Sequence, residues 1–105
     1  MGDRAMAEIK VSEGSLYFYT HWTGSRLFND AKAALEAATP RLGDDSYALK
    51  IAVDSLIESS GARDAETGAG LMLKPDAEDE YNNDSPSVTI DLVSGTVTTE
   101  GARHA

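Results

Sequence analysis

The chain has 105 residues, no cysteine, and eighteen acidic against nine basic side chains, a formal net charge of −9. That length fits one domain with its own core, and the lack of cysteine excludes disulfides and thiolate metal sites. An acidic field repels nucleic acid and anionic membranes at long range, and no apolar run is long enough for a transmembrane helix. Direct nucleic-acid binding and membrane insertion are therefore set aside, and the cytoplasm is the expected location.

Residues 1–6, Met1-Gly2-Asp3-Arg4-Ala5-Met6, lack the apolar stretch of a secretory signal. They read as a disordered start or an expression scar, with Met6 as the natural first residue. Ala7-Glu8-Ile9-Lys10-Val11 alternates apolar and polar, the pattern of a half-buried strand. Ser12 to Ser15 turns the chain, and Leu16 to Thr20 forms a second, aromatic strand. Leu16 and Phe18 share one face of this hairpin, and Tyr17 and Tyr19 share the other.

A first helix follows, capped by Ser25, with Leu27, Ala31, Ala34, Leu35 and Ala38 on one face and Pro40 stopping it. A second helix starts at Asp44 or Asp45, carries Leu49, Ala52, Val53, Leu56 and Ile57 as its apolar stripe, and ends at Gly61. Ala69–Leu73, Ser87–Leu92 and Thr96–Thr99 read as three further strands. Residues 75–86 are expected to be a solvated loop and 100–105 a flexible tail.

The order ββααβββ predicts a single α+β domain over 7–99, a two-layer fold with an antiparallel sheet of about five strands and both helices on one face. The helix-side face is expected to carry Ile9, Val11, Leu16, Phe18, Leu71, Leu73, Val88, Ile90, Leu92 and Val97. Tyr17, Tyr19, Thr89, Asp91 and Thr98 would lie on the uncovered face, where a homodimer could form.

The strongest candidate for chemistry is the end of the aromatic strand. His21, Trp22 and Thr23 precede a helix start, where backbone N–H groups attract anions. Arg26 can add a bidentate contact and Trp22 a stacking face. The competing reading has Trp22 plugging one end of the core and His21 bonded to a carbonyl. Neither phosphate-loop pattern, Gly-x-x-x-x-Gly-Lys-Ser/Thr or Gly-x-Gly-x-x-Gly, occurs in the segment.

In the loop before the third strand, Glu66 and Thr67 offer polar groups, and Gly68 and Gly70 permit close backbone approach or simply a bulge. The acidic run Asp76–Glu80 lacks the glycine and the final glutamate of a calcium loop. No metal or cofactor is called for. Nucleophilic catalysis has no elbow motif to support it, which leaves acid–base work by His21, paired with Glu66 or an aspartate, as the candidate chemistry.

The segment Tyr17-Phe18-Tyr19-Thr20-His21-Trp22-Thr23-Gly24 resembles a Tyr-x-Tyr-Thr-His-Trp-Gly-Gly type run in a family of small uncharacterised proteins of bacteria and their phages. The similarity continues at Arg41-Leu42-Gly43-Asp44-Asp45-Ser46-Tyr47 and at Glu66-Thr67-Gly68-Ala69-Gly70-Leu71. Thr23 stands for the family's first glycine and Leu42 for its tryptophan. The resemblance implies a phage anti-defence setting in the host cytoplasm.

Three functions are carried forward. The first is a non-enzymatic binder that sequesters a nucleotide or other phosphorylated signal through His21, Trp22, Thr23, Ser25, Arg26, Tyr47, Glu66 and Thr67. Its pocket would lie where the first helix start meets the 63–70 loop. The second is an acidic inhibitor or nucleic-acid mimic that occludes a basic host protein. The third is a small enzyme using His21.

Overall fold

The computed structural model describes residues 2–74 and 83–99. The opening alternation builds the central strand, β1 (Ala5–Val11), and a two-residue turn returns it as β2 (Gly14–Thr20). Two short 3-10 turns, Gly24–Arg26 and Thr39–Arg41, flank α1 (Leu27–Ala38), and Pro40 lies in the second of them. Then come α2 (Asp45–Ser60), β3 (Ala69–Met72), β4 (Val88–Asp91) and β5 (Thr96–Thr99). The order ββααβββ and the α+β class are as the sequence predicts. Among the described residues no helix is long and apolar enough to cross a membrane.

The sheet order is β3-β2-β1-β4-β5. Three of its four pairings are antiparallel, but β1 and β4 run parallel, with Ala7 opposite Val88 and Ile9 opposite Ile90. The expected all-antiparallel sheet is corrected here. A parallel neighbour needs a long connection, and residues 73–87 supply one. Its return to the start of β1 is marked by Asp84 and Ser85, whose N–H groups both donate to the Arg4 carbonyl.

Both helices pack on one face of the sheet, α1 over β1, β4 and β5, and α2 over β1 and β2. The seam is rich in alanine: Ala5 and Ala7 from β1, Ala31, Ala34 and Ala38 from α1, and Ala48 and Ala52 from α2 are all buried. Small side chains let backbones approach closely, and Ile9, Phe18, Leu27, Leu56, Ile90 and Leu92 fill the remaining volume. The α2 stripe is centred one position from its predicted place: Ala48, Ala52 and Leu56 are buried, whereas Leu49, Val53 and Ile57 flank the core. Gly61 closes α2 in the left-handed conformation, φ 73°.

Three expected core leucines lie outside it: Leu16 is half-buried, and two others are exposed. Leu71 pairs with Phe18 and so shares the helix-side face, yet it is 47% exposed, and Leu73 is 80% exposed. The helices cover the middle of the sheet and leave the face of β3 open. Tyr17, Tyr19, Thr89, Asp91 and Thr98 share the face away from the helices, as predicted, and Glu8 joins them, while Met6, opposite Tyr19, is buried there. β1 begins two residues before the alternation, so Ala5 and Met6 are buried strand residues rather than part of a disordered start. The acidic run 76–80 and the tail 100–105 lie outside the described residues.

Candidate functional site

β2 ends because Thr20 turns its side chain back on the chain. Its buried hydroxyl lies 2.6 Å from the Thr23 hydroxyl and accepts from the Thr23 N–H at 3.2 Å, a local bond that competes with the sheet ladder. Thr23 is thereby an architectural residue of the bend. The main chain of His21 bridges the two neighbours of β2: its N–H donates to the Gly68 carbonyl at 2.8 Å, and its carbonyl accepts from the Asp3 N–H at 2.7 Å.

Asp3 holds the next residues as well. The Gly24 N–H donates to its carbonyl at 2.7 Å, and the Ser25 N–H and hydroxyl both donate to its carboxylate, at 2.9 and 2.6 Å. These bonds hold the Asp3 carboxyl below its ordinary value of 3.8. The anion drawn to the start of this helix is thus the chain's own Asp3. Ser25 does not cap α1, whose N-terminal flanking residue is Arg26 with no side-chain cap bond.

The imidazole of His21 is fixed on two sides. Nδ1 lies 2.9 Å from the Tyr19 hydroxyl, and the Nε2 edge is packed so closely on Gly2 that a Cβ there would approach it to 3.1 Å. Tyr19 meets His21 edge-on at 6.3 Å, and Trp22 meets it at 6.0 Å with the rings at 88°. Trp22 does not plug the core: 51% of it is exposed. Its six-membered ring lies on Gly68, where a Cβ would come within 2.3 Å of the indole and where φ is +102°. Only glycine meets both conditions without strain.

Together these residues enclose a cleft of about 470 Å³, with Tyr19, His21 and Trp22 on the β2 side and Thr67, Gly68, Ala69 and Gly70 on the β3 side. No residue lining it is a lysine or arginine. His21, Trp22 and Thr67 are the predicted site residues that it unites. Glu66 is exposed in the adjoining loop and does not line it.

Arg26 and Tyr47 are placed elsewhere. The Arg26 guanidinium donates to the Ser59 carbonyl at 2.7 Å, where it caps the last turn of α2, and lies 3.9 Å from Asp30. Tyr47 is in the first turn of α2, with the Arg41 guanidinium 4.8 Å above its ring. That turn abuts the β1–β2 hairpin, because Asp45 accepts from the Ser12 N–H at 3.1 Å. Tyr47 and His21 are thus at opposite ends of β2, roughly 20 Å apart along the strand.

Tyr19 was not among the predicted site residues, and Gly68 and Gly70 were read only as permitting close backbone approach or a bulge, not as the floor of a site. Their signal was present: two glycines alternating at a strand start, beside a strand end crowded with rings. No protein-family model matches this chain, and neither a curated protein nor a solved structure is significantly similar to it.

Proposed function

We propose that the chain is a small binding protein that takes a flat, uncharged ring, such as the base of a nucleotide signal, onto the open face of Trp22, in the cleft that Trp22 shares with Tyr19, His21 and residues 67–70. The observation that carries this reading is the half-exposed indole held on a glycine floor. A free tryptophan would be expected to fold against the core, whereas this one is braced with a face open to solvent. Stacking on an aromatic side chain contributes about 1–3 kcal/mol per base, which alone gives weak binding. The Thr67 hydroxyl and the Tyr19–His21 pair supply polar groups to orient the ring.

A phosphate carried by such a ligand would remain outside. No lysine or arginine lines the cleft, Arg26 is engaged at Ser59, and the helix-start N–H of Ser25 is satisfied by Asp3. Recognition therefore rests on the ring.

Trp22 is the chain's one tryptophan, so its fluorescence reports on the cleft directly. Nucleobases, nucleosides and nucleotides at millimolar concentration are expected to quench it and raise the melting temperature. Nucleosides and their phosphorylated forms should bind within a few-fold of each other, and Trp22→Ala should abolish the melting shift. Binding confined to the phosphorylated forms, or no response to any of these compounds, overturns the reading.

A further inference from the structure

We propose that the outer edge of β3 is a docking strand for an extended, basic segment of another protein, which would add to the sheet as a sixth strand. Among the described residues β3 closes one side of the sheet and pairs only with β2. An edge strand presents a row of backbone N–H and C=O groups that an incoming chain can pair with, while its alternate side chains fill adjacent surface. The two edges of this sheet differ. At β5, α1 packs against the strand, and three of its four residues are threonine. At β3 the helices stop short, leaving Leu71 exposed on the helix side and Leu73 exposed just past the strand, and Gly70 has open space where a side chain would be.

The charge around this edge selects the partner. The loop leading into β3 carries Asp64 and Glu66, both exposed. Its one cation, Arg63, is already bound by Asp54 at 2.8 Å and lies 3.7 Å from Glu58. The loop before β3 is therefore acidic, within a chain of net charge −9, while the exposed Lys74 lies just past the strand's other end. A second copy would bring like charge to like charge, whereas a segment alternating aliphatic and basic residues would cover Leu71 and meet the carboxylates. This proposal does not depend on ring binding in the cleft.

The test uses the full chain and a synthetic nine-residue peptide alternating valine and lysine, with amide hydrogen exchange of residues 69–72 as the readout. The peptide is expected to slow exchange at this strand. A version N-methylated along one edge, of equal charge, should bind at least roughly tenfold more weakly, because it cannot complete the ladder. Leu71→Lys should weaken the parent peptide by roughly tenfold or more, by losing apolar cover and adding like charge. Trp22→Ala should leave peptide binding unchanged while removing any ring binding, so the two readings fail separately. Equal binding of both peptides, or no protection at residues 69–72, overturns the proposal. So does a dimer in sedimentation that Leu71→Lys dissolves, because the occupant would then be a second copy.

Discussion

The Asp3 carboxylate accepts from both donors of Ser25, while the Asp3 main chain binds His21 and Gly24. Asp3→Ala keeps the main-chain bonds and removes the carboxylate, so the expected loss is roughly 1 kcal/mol, the net worth of such bonds at a surface. A lowered melting temperature together with faster amide exchange at Ser25 checks this. Gly68→Ala should cost more, about 1–3 kcal/mol, since it meets both an unfavourable φ and the indole. The two causes separate in a double-mutant cycle. In a Trp22→Ala background the steric part vanishes and the φ part stays, so Gly68→Ala should be markedly milder there. Equal costs in both backgrounds would mean that the indole does not rest on Gly68. His21 and Trp22 were legible from residue type and position alone. Asp3 was not, because its partners are Ser25 and the main chain of His21 and Gly24, with Ser85 from the far end of the chain, and no local pattern encodes such a staple.

Each element that rests on a local pattern was legible: the period-two strands, the two helices, and the left-handed Gly61 that ends α2. Gly61→Ala tests that stop. A Cβ there meets open space, so the cost is conformational only, roughly 1 kcal/mol. Unfolding in urea should show a shifted midpoint with an unchanged slope, and a neutral outcome would remove the glycine from the cap's account. What the pattern could not give was pairing. β3 and β4 both read as strands, but whether consecutive strands pair depends on the connection between them. Residues 73–87 are far too many for a hairpin turn, which was the available sign that β4 would travel back and lie parallel to β1. Coverage was equally hidden. Leu71 has the right parity for the core, and its exposure follows from how far two helices can reach across five strands. Arg26 shows the same limit, since its partner Ser59 comes near only once the helices have packed.

For the whole molecule, the acidic charge and the hydrogen-bonded carboxylates predict opposite responses to acid. Protonation reduces the self-repulsion of a chain at −9, which favours the folded state. Asp3, Asp84 and Asp91 act against this. Ser25 holds Asp3 below the ordinary 3.8, the Arg4 N–H and guanidinium hold Asp84 below it, and the Ser94 and Val93 N–H groups hold Asp91 below it. A carboxyl depressed on folding contributes its stability in full above 3.8, and loses it as pH falls from there through the folded value, because the unfolded chain takes up the proton first. Asp30 has the reverse sign: burial raises it, against the pull of Arg26, so its proton uptake stabilises the fold at pH values above 3.8. Salt separates the contributions. At about 0.5 M the long-range repulsion is screened, and the hydrogen-bonded groups should dominate. Urea midpoints in that salt are expected to rise slightly as pH falls toward 4 and then drop below 3.8. Asp30→Asn should remove the rise and keep the drop, and Asp3→Asn should make the drop shallower. Midpoints that continue to rise below 3.8 in high salt would show that the three carboxylates are not held by their N–H and hydroxyl donors in solution.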